Sequence, residues 1–193
     1  ESTTGGWDCS KLSVGKLRFI LGLALLLPIW VSAQEKRSIS VTNPPIVLTV
    51  EGTNVFIQRF RSNTWESAYP NQILAAKDRG RTGIRSRTSV RLSDLSVMHI
   101  SVRSEFEIQP LPDPKVEAEF SLFRGLMYLL NRDRPGKLRF ITPTATAATR
   151  GTEFTLEVDE ASGRTLLTVL EGEAVLSNTV GSVIIGSGEQ GMA

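Results

Sequence analysis

Between Val55 and Ile185 apolar side chains recur at every second position in short runs, and no long stretch keeps a helical period. Val55 and Ile57 alternate with Phe56 and Gln58, and Val90 and Leu92 oppose Ser89, Arg91 and Ser93. Phe106 and Ile108 share a parity within 105–109, as do Phe120 and Leu122 within 116–122. Phe154, Leu156 and Val158 oppose Thr155 and Glu157, and shorter runs fall at 97–102, 138–141, 166–170, 174–176 and 183–185. Successive side chains of a strand point to opposite faces, so short runs punctuated by Gly, Asp, Asn and Ser predict an all-β domain. The best helical candidate, 65–76, contains Pro70 and reads as loop or a single turn. Pro110, Pro112 and Pro114 predict a stiff, extended loop.

Three glycines stand in similar surroundings. Val50-Glu51-Gly52 precedes Val55-Phe56-Ile57, Arg124-Gly125 precedes Met127-Tyr128-Leu129, and Glu171-Gly172 precedes Ala174-Val175-Leu176. Glycine at such places supplies a positive φ or a close backbone approach. The three are either ordinary hairpin turns or the corners of a coil-by-coil repeat.

The first 33 residues have a different character. Lys11, Lys16 and Arg18 precede the apolar run Phe19–Val31, and Val31-Ser32-Ala33 offers small residues for cleavage. This order predicts a helical secretory signal peptide cut after Ala33, with an uncleaved membrane anchor as the alternative. The run is shorter than the roughly 20 residues that span a bilayer. Residues 34–49, which include Asn43-Pro44-Pro45, read as a linker, and 50–190 as the β domain. Export places the mature chain in the periplasm or outside the cell.

Composition excludes several chemistries. Cys9 is the one cysteine and His99 the one histidine, so neither an internal disulfide nor a Cys/His zinc site can form. With 22 basic and 20 acidic residues the net charge is +2, which gives no electrostatic reason to expect nucleic acid. His99 falls mid-strand, where packing or exposure is commoner than catalysis. Glu171/Glu173 and Asp159/Glu160 sit at turns and match no metal-ligand spacing. Ile185-Gly186-Ser187-Gly188 precedes no helix and so reads as a turn rather than a phosphate cradle. No catalytic residue, metal or cofactor is expected, and the chain reads as a non-enzyme.

Two groups of residues remain as candidates. Arg79, Arg81, Arg85, Arg87, Arg91 and Arg103 all have odd numbers, so Arg85, Arg87 and Arg91 would share one strand face. That face is either a partner contact or a solvated surface that discourages edge pairing. The second group is the stretch TPTATAATRGTEFTLEV, 142–158. Pro143 has no amide donor and starts a strand; Ala145, Ala147 and Ala148 suit a close layer; Arg150 and Gly151 form a corner. Five guanidinium donors let Arg150 clamp that corner, with Glu153, Glu171 or Glu173 as the carboxylate, or else reach out to a partner.

The same stretch carries a resemblance to the FecR domain family. Thr142-Pro143 through Arg150-Gly151-Thr152-Glu153-Phe154 resembles that family's TP-x-A-x-A-x-x-RGT-x-F, and Val169-Leu170-Glu171-Gly172-Glu173-Ala174 resembles its V-x-x-G-x-V. Trp65-Glu66-Ser67-Ala68, Asp78-Arg79-Gly80-Arg81-Thr82-Gly83, Ser89–Asp94 and Gly186–Gln190 are similar to further elements, in order, over about 50–190. Ala76-Lys77 stands where the family usually has a glycine before Asp78. The resemblance implies an extracytoplasmic all-β domain, a short-stranded β-solenoid of β-helix type or a sandwich, that acts through protein contact in envelope signalling or assembly. Thr142, Pro143, Arg150, Gly151, Thr152, Phe154 and Gly172 are then the motif residues, and Arg85, Arg87, Arg91 and Trp65 the candidate contacts. The partner is an envelope protein, with no nucleic acid and with membrane attachment only through an uncleaved leader. The competing reading is a module for envelope polysaccharide or peptidoglycan, using Trp65, Tyr69 and the Arg85–Arg91 face.

Overall fold

The computed structural model describes residues 43–110, 116, 118–130 and 137–193, with Arg150 described by its backbone. The predicted signal peptide, its cleavage point and the PLPDP stretch beyond Pro110 lie outside the described residues. The alternation translates into fifteen strands, and no helix occurs among the described residues. They are β1 (Ile46–Glu51), β2 (Val55–Gln58), β3 (Trp65–Ser67), β4 (Arg79–Thr82), β5 (Arg87–Arg91), β6 (Val97–Ile100), β7 (Glu105–Ile108) and β8 (Ala118–Leu130). Then come β9 (Lys137–Ile141), β10 (Thr146–Arg150), β11 (Glu153–Val158), β12 (Thr165–Glu171), β13 (Glu173–Ser177), β14 (Ser182–Gly186) and β15 (Gln190–Met192).

All fifteen belong to one open mixed sheet with two arms that share β8. The first arm runs β1-β5-β6-β8-β11-β12-β15, and the second runs β3-β2-β4-β7-β8-β9-β10-β13-β14. Every pairing is antiparallel except β8 with β9. The Ala118–Arg124 part of β8 pairs in the second arm and its Gly125–Leu130 part in the first. The chain alternates between arms: β1 leads to β2–β4, β5 and β6 to β7, β11 and β12 to β13 and β14.

The inward positions form one core. Phe106 and Phe120 stack with centroids 5.2 Å apart, Phe120 lies 6.2 Å from Phe140, and Phe140 meets Phe154 edge-on at 5.1 Å. The first three rings come from the second arm and Phe154 from the first, so this row of rings links the arms. Each ring is fully buried. Replacing one by alanine costs about 3–5 kcal/mol in a core of this kind.

Three local expectations change. The strand expected to start at Pro143 starts at Thr146. Thr142 instead closes a turn, its amide donating to the Ala145 carbonyl at 2.8 Å and its Oγ1 accepting from the Ala145 amide at 3.0 Å. Of the small residues, Ala145 and Ala147 are buried while Ala148 is exposed. Strand β1 begins at Ile46, inside the stretch read as a linker, because Val47 fills the core.

Candidate functional site

The chain passes between arms at corners, and three pairs of corners are built alike. In each, a residue of positive φ precedes a buried hydroxyl: Arg85 (φ 58°) before Ser86, Arg103 (φ 53°) before Ser104, and Gly151 (φ 66°) before Thr152. Opposite each stands a glycine of positive φ, Gly52 (81°), Gly125 (92°) and Gly172 (90°). A Cβ on these would lie 2.5 Å from Ser86 Oγ, 2.2 Å from Ser104 Oγ and 3.0 Å from the Gly151 carbonyl oxygen. Both the conformation and the approach strain any larger residue there.

The hydroxyls secure the backbone just past each glycine. The Asn54 amide donates to Ser86 Oγ at 3.1 Å and the Leu126 amide to Ser104 Oγ at 3.1 Å. The Thr152 hydroxyl donates to the Glu173 carbonyl at 2.7 Å. The three glycines are therefore corners between arms rather than hairpin tips, and the Arg-Ser and Gly-Thr pairs facing them, unread in the sequence, complete the device.

The motif residues occupy the two ends of β10. At one end Thr142 and Thr165, both buried, are 2.7 Å apart through their hydroxyls, and Thr144 Oγ1 lies 2.8 Å from Thr165 Oγ1. Pro143 is exposed at that turn. At the other end are Arg150, Gly151 and Thr152, with Gly172 facing them and Phe154 buried one turn of alternation later. Arg150 pairs by backbone with Lys137, and the expected guanidinium clamp lies outside what is described. Thr142, Gly151, Thr152, Phe154 and Gly172 thus make contacts internal to the domain.

The basic stripe divides. Arg87 and Arg91 lie on β5 of the first arm, but Arg85 belongs to the preceding corner, outside the strand, because its positive φ breaks the extended alternation. Trp65 is on β3, at the far edge of the second arm, so it is not brought beside Arg87 and Arg91 in the sheet. Tyr69 is exposed, near Trp65 in sequence. Arg79 and Arg81 lie on β4 and form a separate outer face with aromatic and acidic neighbours. The Arg81 guanidinium lies 4.3 Å from the Trp65 ring centroid and 5.2 Å from that of Phe56, and Arg79 lies 4.9 Å from Phe123. Glu105 accepts from Arg79 at 2.5 Å and lies 3.3 Å from Arg124. Lys77 donates to Glu107 at 3.1 Å, and Arg124 also pairs with Glu160.

On the outer face of the first arm Ser89 Oγ lies 2.8 Å from His99 Nδ1, and the His99 ring stacks on Tyr128 with centroids 5.9 Å apart. The Tyr128 hydroxyl donates to Glu153. Ser89, His99 and Tyr128 line a shallow cleft of about 320 Å³ with Glu51, Arg87 and Leu126. His99 stands exposed on an open strand face and stacks on Tyr128. Among the described residues no group of three or more His, Cys, Asp and Glu could hold a metal ion, and no helix is long and apolar enough to cross a membrane. At the β11–β12 turn the Ser162 hydroxyl and amide donate to Asp159 and hold its carboxyl below the ordinary aspartate range.

Residues 78–175 match the family model described as FecR protein. Two crystal structures of a "putative anti-sigma factor" from Parabacteroides distasonis ATCC 8503, at 1.65 and 2.50 Å resolution, share the fold. Each aligns at a TM-score of 0.52 with 14% identity over 60% of this chain. The alignment spans about half of their length, 54%. No curated protein matches the sequence significantly.

Proposed function

Because the chain belongs to the FecR protein family, we propose that it is an exported, non-enzymatic domain that works by protein–protein contact in envelope signalling or assembly. The leader directs it out of the cytoplasm, cleavage follows Ala33, and the mature chain works in the periplasm or beyond. Its two arms form the two faces of a short β-solenoid or sandwich, and the chain passes between the faces at the glycine–hydroxyl corners.

The observation that carries the contact reading is the free edge of β14. Among the described residues this strand pairs only with β13, so up to Ile185 its other side offers unpaired backbone donors and acceptors, while Gly186 bonds back to Glu189. Ser182-Val183-Ile184-Ile185-Gly186 contains no charge or proline to block a further strand, and Val183 and Ile184 are more than half exposed, at 52% and 62%. Edges without such protection are templates for strand addition. The polysaccharide reading is the weaker one, since Arg81 already lies over one face of the half-buried Trp65 ring.

The test uses the exported protein as bait in envelope extract, in wild-type form and as Ile184→Lys. A protein enriched by wild type and lost with the variant supports the reading. No enrichment above an unrelated exported control removes it. Intact mass of the exported chain should begin at Gln34; a retained leader would overturn the cleavage step.

A further inference from the structure

Among the described residues Arg81 is left without a carboxylate by the way its neighbours pair. Glu105 is its cross-strand partner, yet one Glu105 oxygen lies 2.5 Å from Arg79 Nη2 and the other 3.3 Å from Arg124 Nη2. The Arg81 guanidinium is held instead by the faces of Trp65 and Phe56. Arg103, exposed at its corner, also has no ion pair among the described residues. Arg81, Arg103 and Arg124 line one cleft of about 430 Å³, where Glu160 is the lone carboxylate. Arg124 is already paired with Glu160 and Glu105, so Arg81 and Arg103 carry the excess of positive charge there.

We propose that this cleft binds the carboxylate side chain of an acidic peptide segment, with Arg81 and Arg103 as the donors. Two aromatic faces already restrict the Arg81 fork, so less side-chain freedom is lost when a planar carboxylate takes two parallel hydrogen bonds. Phe56 and the exposed Ile84 line the same cleft and give an apolar neighbour in the peptide a place to pack. The chain carries a net charge of only +2, and Lys77, Arg79 and Arg124 beside the cleft are already paired with Glu105, Glu107 and Glu160, whereas a nucleic acid or other long polyanion needs a continuous basic track. The surface is separate from the β14 edge, and binding here is tested without reference to export or envelope partners.

The experiment titrates the purified protein at low ionic strength with a capped hexapeptide of alternating Glu and Leu, followed by calorimetry. The same peptide with Gln for Glu, and inorganic phosphate, are the comparisons. The Glu peptide is expected to bind at least about tenfold more tightly than the Gln peptide, a difference of about 1.4 kcal/mol. Arg81→Gln and Arg103→Gln each weaken it about tenfold, while Arg139→Gln on β9 leaves it within about twofold. Arg103 is exposed, so its variant tests the cleft even if Arg81→Gln disturbs the aromatic cluster. Equal binding of both peptides, no binding of either, or unchanged affinity in Arg103→Gln would overturn the proposal. Phosphate displacing the Glu peptide at equal concentration would overturn the peptide assignment in favour of a phosphate site.

Discussion

Thr152 and Glu173 are joined by a 2.7 Å hydrogen bond from the threonine hydroxyl to the glutamate's carbonyl oxygen, directly across the corner that Gly172 opens. This bond crosses between the corner that leaves β10 and the corner that enters β13. Its loss removes a partner from a buried group. Thr152→Val is expected to lower stability by about 1–3 kcal/mol, and Thr152→Ser, which keeps the hydroxyl, by clearly less. Urea denaturation of the two variants decides it, and equal losses would mean that shape rather than the hydrogen bond matters.

The facing glycines should respond in order of crowding. A Cβ at position 125 would meet Ser104 Oγ at 2.2 Å and Ser104 Cα at 2.6 Å, whereas one at 181 meets nothing within 4 Å. Gly125→Ala is expected to cost about 2–4 kcal/mol, combining strain at positive φ with backbone displacement, and Gly181→Ala less than about 0.5. Melting temperatures of both variants test this, and a neutral Gly125→Ala would remove the corner argument.

Phe140 touches rings from both arms, Phe120 on one side and Phe154 on the other. Phe140→Ala should therefore destabilise the whole sheet by about 3–5 kcal/mol, and Phe140→Leu by roughly half that. Hydrogen exchange would show both arms losing protection together. Protection lost in one arm alone would contradict a shared core.

The clamp expected of Arg150 from its place beside Gly151 is open to a direct test. Arg150→Ala is expected to lower the melting temperature by several degrees, as removal of about 1 kcal/mol does in a domain of this size. Unchanged stability with lost partner capture would assign Arg150 to contact instead.

The Asp159 carboxyl is held low by the Ser162 hydroxyl first and then by backbone amides. The sign follows: a depressed folded value contributes stability above the unfolded value, and that contribution is lost as pH falls through the folded value. NMR titration of the Asp159 carboxyl should show it ionised to lower pH than in Ser162→Ala, and identical titration curves would refute the assignment.

The alternation made most strands legible, because half-buried strands write their two faces into the sequence. Phe106 with Ile108, and Phe154 with Leu156 and Val158, are buried as the parity predicts. Gly52, Gly125 and Gly172 were readable as turns or corners because glycine takes a positive φ most easily, but which of the two they form was not. Their partners were not, since Arg85 and Arg103 take a positive φ with a side chain that carries no local signal of it. Parity also misjudged the arginines. It grouped Arg85 with Arg87, although a corner intervenes, and could not show that Glu105 is spent on Arg79 and Arg124, which leaves Arg81 to the aromatics. Such choices among several partners are made by register between strands distant in sequence.

Strand β8 takes partners from both ends of the chain, β6 and β7 before it and β9 and β11 after it. Until β8 is in place neither arm is continuous, so the arms have no independent existence as folding units. The domain should melt in one calorimetric transition, and its refolding should be slow, because the pairings that matter most close long loops of chain. A polypeptide that crosses a membrane unfolded would then stay competent for transport until β8 and its later partners have emerged.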